Sequence, residues 1–308
     1  MKKLLLAVAV STVAAGSVNA ATIYEKDGFT YKLNGDFQVQ FREKTGFDER
    51  LKVEYDDLEL KNYVAYDLGN DLTAFGRLDY GYNKDGENGL EEAYLGLKYQ
   101  NVSFSFGNQN FAGDEFGIEE AYEVETIDED RFDGIATSGN DSIRVDVELE
   151  NVYIAASHEM DAADDEGEFY DLFVATKLAD LELAAAYQQS RAADAAESAD
   201  TWGVSASYDF GFMNLAADYS MTDEDDFETT QYNIAAVFAV ASTTDVAVGM
   251  GNKEVDDADD ITEWYANVTY KFPAAKNVSA FAEIADSDLE ENGEDADLGF
   301  LAGMRVKF

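Results

Sequence analysis

From Phe29 onward the chain alternates between apolar and polar residues. A period of two residues is the repeat of a β-strand, whose successive side chains point to opposite sides. The first such segment, residues 29–42, is therefore predicted to be a strand with one apolar face and one face that contacts water. Its apolar face is formed by Phe29, Tyr31, Leu33, Gly35, Phe37, Val39 and Phe41.

The same alternation recurs along the chain and predicts sixteen strands joined in hairpins. The predicted strands are residues 29–42, 58–68, 72–82, 90–99, 102–109, 142–149, 152–157, 169–178, 181–188, 201–210, 214–221, 229–240, 245–250, 262–272, 278–284 and 298–308. Short turns such as Gly69-Asn70-Asp71 alternate with longer acidic connections. The longer acidic connections are residues 159–168, 190–200, 222–228, 253–260 and 285–297.

This layout predicts an all-β fold, a 16-stranded antiparallel transmembrane β-barrel. Aromatic residues near the strand ends of the apolar face fit the two interfaces of a membrane. The alternative is a soluble β-sandwich, which has fewer strands and shorter loops. The aromatic residues in question are Tyr80, Tyr82, Tyr208, Phe210, Tyr219, Trp264, Tyr270 and Phe272.

The first twenty residues have the pattern of an export signal. Lys2 and Lys3 precede an apolar run, and Val18-Asn19-Ala20 forms a small-residue cleavage site. We therefore expect a signal peptide over residues 1–20 and one barrel domain over residues 21–308. No later segment approaches the roughly 20 apolar residues that a membrane helix requires.

Charge and composition exclude several other classes of protein. The chain has 65 acidic and 21 basic residues and a net charge of −44, which argues against nucleic acid as a partner. Its hydrophobic content of 46% and aromatic content of 13% are too high for a disordered tail. There is no cysteine, and the single proline, Pro273, falls in a predicted turn, which favours long uninterrupted strands.

One connection, at about residues 108–142, is the longest segment without strand alternation. So long a connection inside a compact domain is usually functional. Between two strands of a wide barrel it can fold inward and narrow the lumen, so we expect an inward-folded third outer loop.

Four segments resemble the general porins of Gram-negative outer membranes. Asp114-Glu115-Phe116-Gly117 is similar to the Pro-Glu-Phe-Gly-Gly signature of the porin constriction loop, without its proline and second glycine. Residues 131–137, Arg-Phe-Asp-Gly-Ile-Ala-Thr, resemble the stretch that leads into the sixth porin strand. Residues 22–28 resemble the start of the mature porins, and residues 301–308 resemble their closing strand.

The resemblance implies a constriction in which arginines on the wall oppose carboxylates on the loop. It assigns Arg131 to the wall and Glu115 to the loop, and it places Glu59 and Glu91 where wall arginines are expected. On the strand of Glu91, alternation instead favours Glu92 facing the lumen. Alternation points Arg42, Arg77 and Arg144 inward, and Asp114 and Glu119 are further acidic candidates on the loop. The candidate constriction residues are thus Asp114, Glu115, Glu119, Arg131, Arg42, Arg77, Glu59 and Glu91.

These features predict passive diffusion of ions and small hydrophilic solutes through a water-filled, cation-preferring channel. The resemblance further implies a homotrimer in contact with outer-membrane lipid and lipopolysaccharide, and recognition of Phe308 by the barrel-assembly machinery. The alternatives are a substrate-specific channel, or a structural or adhesive barrel plugged by its long loop. A sugar channel would show a row of lumen aromatics, and the pattern indicates few.

Neither an enzyme nor a cofactor protein is expected. His158 is the only histidine, and its neighbour Ser157 points to the opposite face of the strand, so the two cannot form a catalytic pair. The acidic runs at residues 256–260 and 286–297 lack the spacing of a calcium-binding loop. Loose screening by divalent cations is the expectation there, without a dedicated metal site.

Overall fold

The computed structural model describes residues 21–82, 89–122, 131–132, 138–160, 168–191, 198–224, 227–256, 258–291 and 293–308. The predicted signal peptide, residues 1–20, lies outside these residues. Within them, no helix has the length and apolar character needed to cross a membrane. The described residues are almost entirely strand.

The strands follow one another in chain order, and one 3₁₀ helix, η1 (Gly113–Glu115), interrupts them. They are β1 (Ala21–Lys26), β2 (Phe29–Glu43), β3 (Lys52–Gly69), β4 (Leu72–Gly81), β5 (Gly89–Tyr99), β6 (Val102–Asn110), β7 (Ser138–Glu148), β8 (Val152–Glu159), β9 (Glu168–Leu178), β10 (Leu181–Arg191), β11 (Ala199–Asp209), β12 (Met213–Glu224), β13 (Phe227–Ala241), β14 (Thr244–Val255), β15 (Ile261–Phe272), β16 (Ala275–Ser287), β17 (Glu290–Glu291), β18 (Glu294–Asp295) and β19 (Gly299–Lys307).

Sixteen of these strands close into a ring. Each strand from β2 to β16 pairs antiparallel with the next, β16 pairs with β19, and β19 returns to β2. The closing register joins Phe300 to Glu43 at one end and Lys307 to Asp36 at the other. The predicted 16-stranded antiparallel barrel is therefore confirmed.

The barrel is polar inside and apolar outside. On β2, Gln38 and Gln40 are buried in the interior, while Phe37 and Phe41 are 42% and 55% exposed on the outer surface. This arrangement inverts that of a soluble protein, because lipid surrounds the outer face and water fills a barrel of this width. Most of the aromatics predicted at the interfaces, including Tyr80 and Trp264, are exposed on that outer face.

Strand β1 lies outside the ring and was not predicted. It pairs with the first part of β2, from Lys26 opposite Phe29 to Ala21 opposite Leu33. Asp27 and Gly28 form the turn with φ angles of 53° and 84°, as a tight hairpin requires. Since β19 pairs with β2 only from Asp36 onward, β1 covers the part of that edge which β19 leaves open.

The strands are longer than predicted at the ends near the acidic connections. The predicted connection at residues 222–228 is largely strand, since β12 reaches Glu224 and β13 begins at Phe227. Within the predicted connection at residues 285–297, β17 and β18 form a small hairpin. Beyond the lipid both faces of a strand contact water, so the apolar half of the alternation is lost there.

Candidate functional site

The connection between β6 and β7 spans residues 111–137, of which residues 111–122 and 131–132 are described. Its described part contacts the polar inner face of the barrel. At the start of the loop, the backbone N–H of Ala112 donates to Ser157 Oγ at 2.8 Å, and that of Gly113 donates to Asp171 Oδ2 at 2.7 Å. These two bonds attach the beginning of the loop to the inner face of β8 and β9.

The middle of the loop packs where the wall side chains are small. The ring of Phe116 lies over Gly203 of β11, where an added Cβ would come within 2.6 Å of the ring. Ile118 packs against Ala216 and Ala235 on β12 and β13. Glycine and alanine at these inward positions leave room for the loop beside the wall.

The far end of the loop is held by β15 and β16. The backbone N–H of Glu120 donates to the Tyr265 hydroxyl at 2.8 Å, and that of Tyr122 donates to the Glu283 carboxylate at 2.8 Å. The Tyr122 ring stacks on Phe281 with centroids 4.3 Å apart and planes 10° apart. The described residues thus follow the inner wall from β8 to β16.

Loop carboxylates and arginines form ion pairs inside the barrel. Glu115 accepts from Arg144 of β7 at 2.7 Å. Arg131 pairs with Glu119 and also with Asp218 of β12, the latter at 2.6 Å. Sequence reasoning placed Arg131 on the wall, but β7 begins only at Ser138, so Arg131 lies in the loop and its side chain is 4% exposed.

The wall of β2–β5, which the described loop residues do not line, carries a second set of charges. Arg77 donates to Asp79 at 2.5 Å and lies 2.7 Å from Glu92, while Arg42 is paired with Glu54 and Lys61 with Glu59. A recess of about 510 Å³ opens at this wall. Its charged lining residues are Glu59, Lys61, Arg77, Asp79, Glu91 and Glu92.

Both Glu91 and Glu92 face this recess, although alternation had favoured Glu92 alone. The register between β4 and β5 shifts after Asp79, which pairs with Glu92, so Glu91 is an extra residue in a β-bulge. Its carboxylate lies over Gly81, where an added Cβ would overlap it.

The structure therefore brings the predicted residues together in two groups. Asp114, Glu115, Glu119 and Arg131 belong to the loop, and Arg42, Arg77, Glu59 and Glu91 belong to the β2–β5 wall. Sequence reasoning did not select Glu120, Asp171, Asp218, Tyr265 or Glu283. Alternation places the last four on the inner face, but it does not indicate which inner positions the loop reaches.

Burial raises the pKa of two loop carboxyl groups, those of Asp114 and Glu120. Burial, together with repulsion from Asp245 and Glu119, raises the pKa of Glu120 to about 8. At neutral pH this side chain therefore carries a proton, and the loop has one negative charge fewer than its sequence suggests.

His158 and Ser157 lie on opposite faces of β8. The His158 ring stacks on Tyr170 at 4.3 Å, and Ser157 points inward to Asp171. Within the described residues, no group of three or more potential ligands is arranged to hold a metal ion.

Comparison with known proteins gives consistent matches. A family model described as Gram-negative porin matches residues 6–292. Porin-like protein H of Photobacterium profundum is 25% identical over 340 aligned positions that cover 100% of both chains. OmpT, an outer membrane protein of Vibrio cholerae in its trimer form, matches with a TM-score of 0.78 and 18% identity over 92% of this chain and 100% of that chain. An anion-selective porin from Comamonas acidovorans matches with a TM-score of 0.79 and 16% identity, covering 91% and 100% of the two chains.

The two structural matches show that the fold is shared. The family match covers most of the sequence and agrees with the closed barrel and its loop-lined lumen. The chain therefore belongs to the Gram-negative porin family, as an outer-membrane channel protein and not an enzyme.

Proposed function

We propose that this porin conducts ions and small hydrophilic solutes by passive diffusion and prefers cations. The observation that carries the proposal is the pairing of the lumen arginines. A wall of exposed guanidinium groups would attract anions, whereas arginines paired with an excess of carboxylates leave the lumen negative.

Five arginines of the described chain lie in the lumen, and each contacts at least one carboxylate. Their eight partners are Asp36, Glu54, Asp79, Glu92, Glu115, Glu119, Asp146 and Asp218. Lys52 and Lys307 share two of these partners, so eight carboxylates still face seven cations.

Further carboxylates add to this excess. Glu91 lines the recess beside the Glu59–Lys61 ion pair, and Asp114 is exposed on the loop. The chain as a whole has a net charge of −44, which raises the cation concentration within about 8 Å of its surface at physiological salt. Since the anion-selective porin from Comamonas acidovorans has a similar fold, the side chains and not the fold decide the sign of selectivity.

The zero-current potential across a potassium chloride gradient in a planar bilayer tests the proposal. We expect a steady ohmic conductance and a potential whose sign shows that potassium crosses more easily than chloride. A potential of the opposite sign would reject cation preference while leaving the channel in place. No conductance from folded protein would favour the plugged barrel.

Matched variants locate the source of the selectivity. The double variant Glu59→Gln/Glu91→Gln replaces two carboxyl groups of the recess with amides, leaves Lys61 without its partner, and is expected to lower the potassium preference. The control is Asp71→Asn in an exposed turn, where a φ of 62° suits asparagine equally well. An equal change in both proteins would show that the recess does not set selectivity.

We also propose that the protein assembles as a homotrimer within outer-membrane lipid and lipopolysaccharide. Support comes from OmpT, a similar barrel that has a trimer form. Light scattering from purified protein in detergent should give three copies per particle, and a monomer mass would reject this assembly.

Recognition of Phe308 by the barrel-assembly machinery is a separate proposal. The variant Phe308→Ala should slow insertion of the barrel into the outer membrane.

A further inference from the structure

Three aromatic side chains line the lumen near the short-turn end of β3, β4 and β5. Tyr63, Phe75 and Tyr94 lie on inward-facing positions, and each is partly exposed. The rings of Tyr63 and Phe75 are loosely stacked, with centroids 6.4 Å apart and planes 23° apart. Tyr94 meets Phe75 edge-on at 6.3 Å. The lumen therefore contains an aromatic surface that the sequence pattern did not indicate.

Phe75 packs closely against the wall. It pairs directly with Gly96 on β5, and a Cβ on that glycine would overlap the Phe75 ring. Because glycine has no side chain, the ring can approach the backbone of β5, and the Phe75 side chain stays partly exposed to the lumen.

The same construction occurs four strands away, on β16, and there a second ring is stacked on it. Phe281 pairs with Gly303 and lies over it in the same way. Tyr122 of the loop stacks on Phe281 at 4.3 Å, nearly parallel, and its hydroxyl bonds to Thr269. The molecule itself thus shows that such a surface binds a planar ring with a polar substituent.

Within the described part of the chain, no ring lies as close to Phe75 as Tyr122 lies to Phe281. Tyr63 stacks on Phe75 loosely, at 6.4 Å, and Tyr94 is edge-on at 6.3 Å. Offset stacking of a further aromatic ring is favourable at centroid distances of about 4.5–7 Å.

One lysine beside this surface has no described carboxylate partner. The Lys32 ammonium lies 5.7 Å from the Tyr63 ring centroid, and no described carboxylate lies within ion-pair distance of it. Arg77 stands between Tyr63 and Tyr94 in register, and Lys98 lies one lumen-facing position beyond Gly96. Arg77 and Lys98 have carboxylate partners, so Lys32 supplies the net charge for an incoming anion.

We propose that this surface is a binding site for small planar aromatic carboxylates, of which benzoate is the simplest. The ring stacks on Phe75 and the carboxylate pairs with Lys32. The site rests on the proposed function, because the solute reaches it through the channel. A local site of this kind is compatible with an overall preference for cations, since it acts on one solute class.

Fluorine NMR of 4-fluorobenzoate titrated with detergent-solubilised protein tests the site without relying on conductance. We expect saturable line broadening that unlabelled benzoate reverses and cyclohexanecarboxylate, which has no planar ring, does not. Phe75→Ala should weaken binding about tenfold through the lost stacking surface. Phe75→Tyr keeps the surface and should bind as the parent protein does.

Lysine variants test the charge. Lys32→Gln should weaken binding of 4-fluorobenzoate severalfold and leave binding of the neutral 4-fluorobenzamide unchanged. Lys177→Gln is the matched control, because it removes a lysine from the inner face of β9, away from Lys32. Equal effects of the two lysine changes would overturn the assignment of Lys32.

The outcomes separate the site from the channel. Normal conductance with no binding of 4-fluorobenzoate rejects the site and leaves the channel. Binding that depends on Phe75 and Lys32 in a protein without conductance supports the site and rejects the channel. Unchanged binding in folded Phe75→Ala, equally tight cyclohexanecarboxylate, or competition by glucose instead of benzoate overturns the assignment to aromatic carboxylates.

Discussion

Arg131 is the residue where the two arms of the inner loop meet. It pairs with Glu119 on the outgoing arm and with Asp218 on the wall, and it lies 5.4 Å from the Phe116 ring centroid. The Arg131 side chain is 4% exposed and that of Asp218 is fully buried. A buried ion pair of this kind specifies position more than it adds stability.

We predict that Arg131→Gln loosens the loop, because it leaves the Asp218 charge buried without its cation, at a cost of about 3–5 kcal/mol. Single-channel recordings should show larger current fluctuations than in the parent. Asp218→Asn is the milder comparison, since Arg131 keeps Glu119. Equal noise in all three proteins would show that the pair does not hold the loop.

Glu120 gives the channel a predicted pH response. Its pKa is raised to about 8 by burial, so the folded state favours the protonated form. The protonated Glu120 side chain therefore stabilises the docked loop. This stabilisation is fully present below the ordinary glutamate pKa of about 4.5 and is lost as the pH rises through 8. Above pH 8 the loop gains a negative charge.

Between pH 7 and pH 9 we therefore expect the potassium preference to increase and the loop end near Tyr265 to loosen. Zero-current potentials at the two pH values provide the measurement. Glu120→Gln cannot ionise and should lose most of this change. A response of the same size in Glu120→Gln would assign the titration to another group.

At the scale of elements, the loop fits its wall because β11 to β13 present small side chains to it. Gly203→Ala inserts a methyl group into the space of the Phe116 ring. We predict that this change displaces the middle of the loop at a cost of about 1–3 kcal/mol while the barrel stays closed.

Limited proteolysis of the purified protein measures this displacement as faster cleavage within residues 111–137. Ser205→Ala, one inward position further along β11, is the matched control because it reduces side-chain volume. Cleavage at the parent rate in Gly203→Ala would contradict the packing argument.

Sequence alternation predicts the strands well where lipid faces one side and water the other, as on β2. It fails beyond the lipid, where both faces of a strand contact water. The ends of β12 and β13 that extend past the lipid are for this reason predicted as a loop at residues 222–228. It also fails at the β4–β5 bulge, where one extra residue turns Glu91 inward. Arg131 could not be placed from sequence, because its position depends on Asp218, which is 87 residues away.

At the scale of the whole molecule, the acidic surface should raise the local cation concentration mainly at low salt. The screening length falls from about 10 Å at 0.1 M to about 3 Å at 1 M salt. We predict that the potassium preference declines over this range at a fixed gradient ratio and keeps the part that arises inside the lumen. A potential independent of salt would show that the outer charges contribute nothing.

The pairing of β19 with β2, which closes the barrel, has a consequence for the time course of folding. One edge of β2 pairs with β3. The opposite edge, from Asp36 to Glu43, pairs only with β19, which lies more than 250 residues later in the chain. Contacts so distant in sequence form slowly, because the intervening chain must first be ordered. Throughout that interval the first strand of the ring has unpaired backbone groups that invite pairing with other chains. We therefore expect the unfolded chain to need a chaperone until β19 pairs with β2.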